Sequence, residues 1–130
     1  MGSAATFALV LAAGLSGAAG VAFAALAAHG SGEARLMASA AEIALVHAPS
    51  LLALAALPAG VLRFRLAAGL LLAAGVVLFS GDLASRFFNG GRLFVDAAPT
   101  GGSLLIVGWL LVAAGATAAR FYPPAGRTGT

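Results

Sequence analysis

The 130 residues suit one domain, and 62% of them are hydrophobic while only 8% carry charge. A soluble globule carries about 25% charged residues to face water, so a water-clad exterior is excluded and the outside must meet lipid. The net charge is +3, every basic residue is Arg and there is no Cys, which excludes disulfides, thiol catalysis and iron–sulfur ligation; the Arg residues fall at segment edges, not in the one-sided cluster that nucleic acid requires.

Four apolar stretches follow one another, each long enough to cross a hydrocarbon layer of about 30 Å, which takes roughly 20 helical residues. The first runs from Ala4 to Ala28 without a charge. It has no basic leader and is longer than the apolar core of a signal peptide, so it reads as a retained span. The second runs from Leu36 to Leu57 and carries Glu42, His47 and Pro49. The third covers Leu66 to Phe88, with Asp82 near its end, and the fourth covers Gly101 to Phe121. Backbone polar groups in lipid need internal partners, which makes helices the expected form. The links are short: His29 to Arg35, Pro58 to Arg65 and Asn89 to Thr100. Short links force antiparallel neighbours, so the expected architecture is all-α, an integral membrane four-helix up-down bundle over residues 1–122. Pro123-Pro124 and the Gly/Thr-rich residues after it read as a helix stop and a disordered tail, 123–130.

With four spans, both termini and the second link share a side that holds Arg63, Arg65, Arg120 and Arg127, against Arg35, Arg86 and Arg92 on the other. Positive residues favour the cytoplasmic side, so both termini are expected there.

Helices in lipid associate through close packing of small residues. Candidate seams are Ala12, Ser16, Gly20, Ala24 and Ala28 on the first span, Ala67, Ala74 and Gly81 on the third, and Gly101, Gly108 and Gly115 on the fourth. Seven residues is nearly two turns, so each set lies along one side of its helix. A seam of this kind serves either the chain's own core or a neighbouring subunit.

An ionisable side chain near the centre of a span costs about 2.5–3.5 kcal/mol on insertion scales, so each needs a reason. Glu42 and Asp82 fall about two turns below one interface and are expected in one polar layer with Ser39, Ser80, Arg86 and Thr100. Asp82 and Arg86, four apart, are positioned to pair on one helix face. His47 lies about halfway along its span; it is either an imidazole hydrogen-bonded across helices or a proton relay, haem ligand or metal ligand. Pro49 leaves the carbonyl of Leu45 without its helical donor, and a kink there is expected to widen the bundle near His47. Thr100 is read as the N-cap of the fourth helix, and Trp109 as a packing residue within it. No nucleophile–base pair, phosphate loop, paired catalytic carboxylates or metal-ligand set stands out, so an enzyme, a resident metal and a resident cofactor are not expected.

The pieces AAHG (27–30), HAPSLLALA (47–55), LFSGDL (78–83), APTGG (98–102) and GWL (108–110) occur in one order along the chain. In that order the sequence resembles domain-of-unknown-function family 423, small four-span membrane proteins of bacteria with mitochondrial relatives. The resemblance implies four helices and an inner-membrane address, and it carries no activity with it. Relative to that family, Glu42-Ile43-Ala44-Leu45-Val46 replaces a Tyr/Gln-containing stretch, and Asp82 stands where Ser is common. Glu42 and Asp82 are therefore expected as a compensating pair.

The first functional expectation is a non-enzymatic accessory, assembly or self-associating subunit whose surroundings are the lipid bilayer and a membrane-protein partner or second copy. The alternative is a small transporter or proton-linked channel using Glu42, His47 and Asp82. A third reading is a haem or quinone binder at His47.

Overall fold

The computed structural model describes residues 1–58 and 60–122; the residues read as a C-terminal tail lie outside them. The described residues form four helices: α1 (Ser3–His29), α2 (Ala34–Ala56), α3 (Arg65–Asn89) and α4 (Ala97–Phe121). They are 27, 23, 25 and 25 residues long, or about 34–40 Å at 1.5 Å per residue. All four are long and apolar enough to cross a membrane. Consecutive helices run antiparallel as an up-down arrangement. The order of packing is α1 on α2, α2 on α3 and α3 on α4, with a lighter contact of α1 on α3. Among the described residues α1 and α4 do not approach each other, so the bundle is open along that side, with α2 and α3 central.

The fourth helix begins earlier than the sequence suggests. Asp96, not Thr100, is the N-cap residue, with its backbone in the left-handed region at φ 63°. Thr100 instead lies inside the first turn and donates its N–H to the carbonyl of Asp96 at 2.9 Å. Pro99 explains the difference: a proline lacks an N–H but is tolerated in a first turn, where that donor has no helical partner. The turn-like Thr-Gly-Gly run therefore continues a helix already begun. In α2, Pro49 sits on the exposed face and the helix runs unbroken past it to Ala56.

The second link is tied down at several points. Arg65 donates to the carbonyl of Leu57, at the end of α2 where the carbonyls lack partners. Arg63 donates its backbone N–H to Gly115 at 3.2 Å and a guanidinium N–H to the Tyr122 carbonyl at 3.0 Å. Phe64 between them holds φ 58°, a left-handed conformation costing a non-glycine residue roughly 1–2 kcal/mol. The flanking ties over-determine that strained residue.

Glycines set how closely the backbones meet. A Cβ on Gly101 would lie 2.5 Å from the Phe79 nitrogen, and one on Gly75 would lie 2.9 Å from the Gly101 carbonyl oxygen. A Cβ on Gly115 would overlap the Arg63 carbonyl, and one on Gly108 would meet the Leu72 side chain at 2.7 Å. Together these positions form the α3–α4 seam. On the other side of α3, Gly69 receives Leu9 of α1, and Gly20 of α1 receives Leu45 of α2. Leu9, Leu51 and Leu72 are fully enclosed in the main apolar cluster, and Met37, Ala40 and Leu83 form a second cluster.

The seam expected on α3 is displaced. Ala67 and Ala74 are exposed and Gly81 is half-buried, whereas Ala68, Gly69, Leu72, Gly75 and Val76 are buried. On α1, Ser16 and Gly20 are buried and Ala12 and Ala24 half-buried, but Ala28 is exposed. Seven-residue spacing selects a direction around a helix, yet several small-residue rows exist on each Ala-rich helix. Which row faces inward depends on where the neighbours stand.

Candidate functional site

The candidate polar residues Glu42, His47, Asp82 and Arg86 occupy different environments. His47 is 5% exposed on α2. Its Nδ1 lies 2.8 Å from the Ile43 carbonyl, one turn back, and its Nε2 lies 3.1 Å from the indole nitrogen of Trp109 on α4. An indole N–H can only donate, so Nε2 is the acceptor and Nδ1 carries the proton it gives to Ile43. The ring is thus held in one tautomer by a chain that runs from α4 through the imidazole to the α2 backbone. The two rings are tilted by 53° with centroids 6.0 Å apart. Both imidazole nitrogens are engaged, which leaves no lone pair to bind iron or another metal. The sequence places Trp109 within a span but gives no sign of its partner, because the two residues are 62 positions apart.

His47 and Trp109 also line a groove of about 470 Å³ between α2 and α4, walled by Ile43, Phe79, Leu105 and Ile106. A second groove of about 350 Å³ lies between α1 and α3, where Ser16, Phe23, Val77 and Ser80 are among the lining residues. Both are overwhelmingly apolar. Ser80 itself is buried and donates to the Ala40 carbonyl at 2.9 Å, binding α3 to α2.

Asp82 is completely buried. One carboxylate oxygen accepts the backbone N–H of Leu93, in the link between α3 and α4, at 2.8 Å. The other has no hydrogen-bond partner, so the expected ion pair with Arg86 does not form. A carboxylate on α3 that reaches the following link ties that link back onto the helix, and this use of Asp82 replaces the pairing inferred from i,i+4 spacing. Arg86 turns instead to a polar surface cleft that it shares with Glu33. Spacing of four brings two side chains to one face, but burial of one and surface access for the other separate them.

Glu42 contradicts the polar layer most directly. It is exposed on α2, whereas Asp82 is enclosed, and Ser39 is half-buried while Thr100 is exposed. The compensating pair of Glu42 and Asp82 does not exist. Glu42 stands in the row Arg35, Ala38, Glu42, Val46, Pro49 and Ala53, all exposed. Among the described residues it has neither an ion-pair nor a hydrogen-bond partner. It lies eight residues into a 23-residue helix, about 12 Å from its start. Among the described residues, no group of three His, Asp or Glu converges as a metal site would require.

Residues 22–102 match a family described as a protein of unknown function, DUF423. The chain belongs to DUF423. In this DUF423 protein the match takes in the last eight residues of α1, all of α2 and α3, and the first six residues of α4. It therefore includes AAHG, HAPSLLALA, LFSGDL and APTGG, and it ends before GWL, so Trp109 lies outside it while His47 lies within. No solved structure matches the DUF423 chain.

Proposed function

We propose that this membrane protein is non-enzymatic and works as a self-associating accessory subunit, held in the bacterial inner membrane with both termini in the cytoplasm. The observation that carries the reading is Glu42, an unpartnered carboxyl on the outward face of a membrane-spanning helix. Acidic groups inside spans almost always face a protein interior or a water-filled cavity. Among the described residues Glu42 faces neither, and a second protein surface at that depth supplies one. A second copy is the simplest occupant. A two-fold axis along the membrane normal brings the same α2 face against itself at one depth, so that the two Glu42 carboxyls approach and share a proton, the protonated one donating its O–H to the other. The exposed Ala38 and Ala53 in the same row permit close approach. The orientation rests on the Arg bias of four to three read from the sequence.

The dispersal of Glu42, His47 and Asp82 into separate surroundings supports this reading over a carrier, which needs its acids on one path. Native mass measurement from mild detergent tests it, using the unaltered chain, Glu42→Gln and Glu42→Ala. The expected result is a dimer for the first two and a monomer for the third. A monomeric unaltered chain, or a dimer indifferent to Glu42→Ala, overturns the proposal.

A further inference from the structure

A separate feature lies at one rim of the bundle, where the first link meets the end of α3. Ser31, Gly32 and Glu33 face Arg86, Phe87 and Gly90 across a polar cleft of about 460 Å³. Two glycines shape it: Gly32 at φ 76° and Gly90 at φ 72° turn their links aside, and nothing lies within 4 Å of where their Cβ atoms would be. Glu33 directly precedes α2, and Arg86 is three residues short of the end of α3, about 5 Å along the axis. This is headgroup depth, where a long cationic side chain reaches out of the hydrocarbon. Arg86 and Glu33 line one cleft, yet among the described residues neither has an ion-pair partner. Arg86 offers five N–H donors and no acceptor; Glu33 offers acceptors only.

We propose that this cleft binds the headgroup of a zwitterionic aminophospholipid, with the phosphate on Arg86 and the primary ammonium on Glu33. The charges select that chemistry. Arg86 alone suits any phosphate, but Glu33 beside it repels a headgroup of purely negative charge. A trimethylammonium headgroup carries the right charges and lacks the N–H donors that a carboxylate accepts. Phosphoethanolamine satisfies both sides at once. Its source is the bilayer and not the aqueous phase, because the cleft opens at the rim of the spans beside Phe87 and the exposed Phe88, where acyl chains continue from a bound headgroup.

The test is retention of lipid by the full chain after reconstitution in vesicles of equal parts phosphatidylethanolamine, phosphatidylcholine and phosphatidylglycerol, read by native mass spectrometry. The expected result is about a tenfold preference for phosphatidylethanolamine, the worth of one charge-assisted hydrogen bond. Glu33→Gln erases its advantage over phosphatidylcholine, and Arg86→Gln lowers retention of all three. Both substitutions lie at the rim, and unchanged helix content by circular dichroism shows that the fold persists. Absence of a headgroup preference, a preference for phosphatidylglycerol, or a preference that survives both substitutions overturns the assignment. Soluble phosphoethanolamine is expected not to displace the lipid at millimolar concentration; displacement overturns the lipid as the source.

Discussion

Replacing Gly101 by Ala tests the α3–α4 seam at its tightest point. The new methyl would stand 2.5 Å from the Phe79 nitrogen, 2.9 Å from the Gly75 carbonyl oxygen and 3.0 Å from the Phe79 Cα. Ordinary contacts begin near 3.4 Å, so α4 must withdraw locally by roughly 1 Å, as overpacked sites do. All three atoms belong to the backbone, so no rotamer change relieves the overlap. Overpacking costs about 1–3 kcal/mol, and the better helix propensity of Ala returns up to about 1 kcal/mol. The net expectation is a loss of about 1–2 kcal/mol. Gly102→Ala is the internal control, because its methyl would meet only the Phe79 ring, at 3.9 Å; it gains the propensity without the overlap. Thermal unfolding in one detergent, followed by loss of Trp109 fluorescence change and by helix signal, compares the two. A Gly101→Ala chain as stable as Gly102→Ala refutes the close backbone approach.

Gly115→Ala is expected to be at least as damaging as Gly101→Ala, since its methyl overlaps the Arg63 carbonyl; the same unfolding assay reads it. Trp109→Phe leaves the buried Nε2 of His47 without its donor, which costs about 1–3 kcal/mol. A double-mutant cycle with His47→Phe should recover part of that loss, and strict additivity contradicts the hydrogen bond. Asp82→Ala removes the acceptor of the Leu93 N–H, so hydrogen exchange should accelerate in residues 90–96 while α1 and α2 stay protected. Equal exchange throughout contradicts the tie.

The spans were legible in the sequence because hydrocarbon thickness fixes their length and apolar composition marks them without ambiguity. α1 and α3 match their apolar runs to within a residue or so at each end. The start of α4 was not legible, since Thr-Gly-Gly resembles a turn and only the tolerance of Pro99 in a first turn lets the helix start at Ala97. Inward faces were harder. Gly101, Gly108 and Gly115 lie on one buried side, but the α3 row through Ala67 and Ala74 faces outward while Gly69 and Gly75 meet α1 and α4. In lipid, polarity does not distinguish an inward from an outward alanine, so the usual contrast of core against surface is missing. The polar residues show the same difficulty: spacing along the helix assigns Glu42 and Asp82 a depth, but depth says nothing about azimuth. The His47–Trp109 bond joins residues far apart in sequence and needed the fold to reveal it.

The chain has no Cys, so single cysteines report contacts between copies without background. Ala38→Cys and Val46→Cys flank Glu42 on the exposed row of α2, and Ile106→Cys lies on the exposed face of α4. Disulfides require Cα atoms about 4.4–6.8 Å apart. Oxidation in intact membranes should link copies through position 38 or 46 and not through 106. Linkage at 106 alone, or at none of the three, contradicts an association built on the Glu42 face.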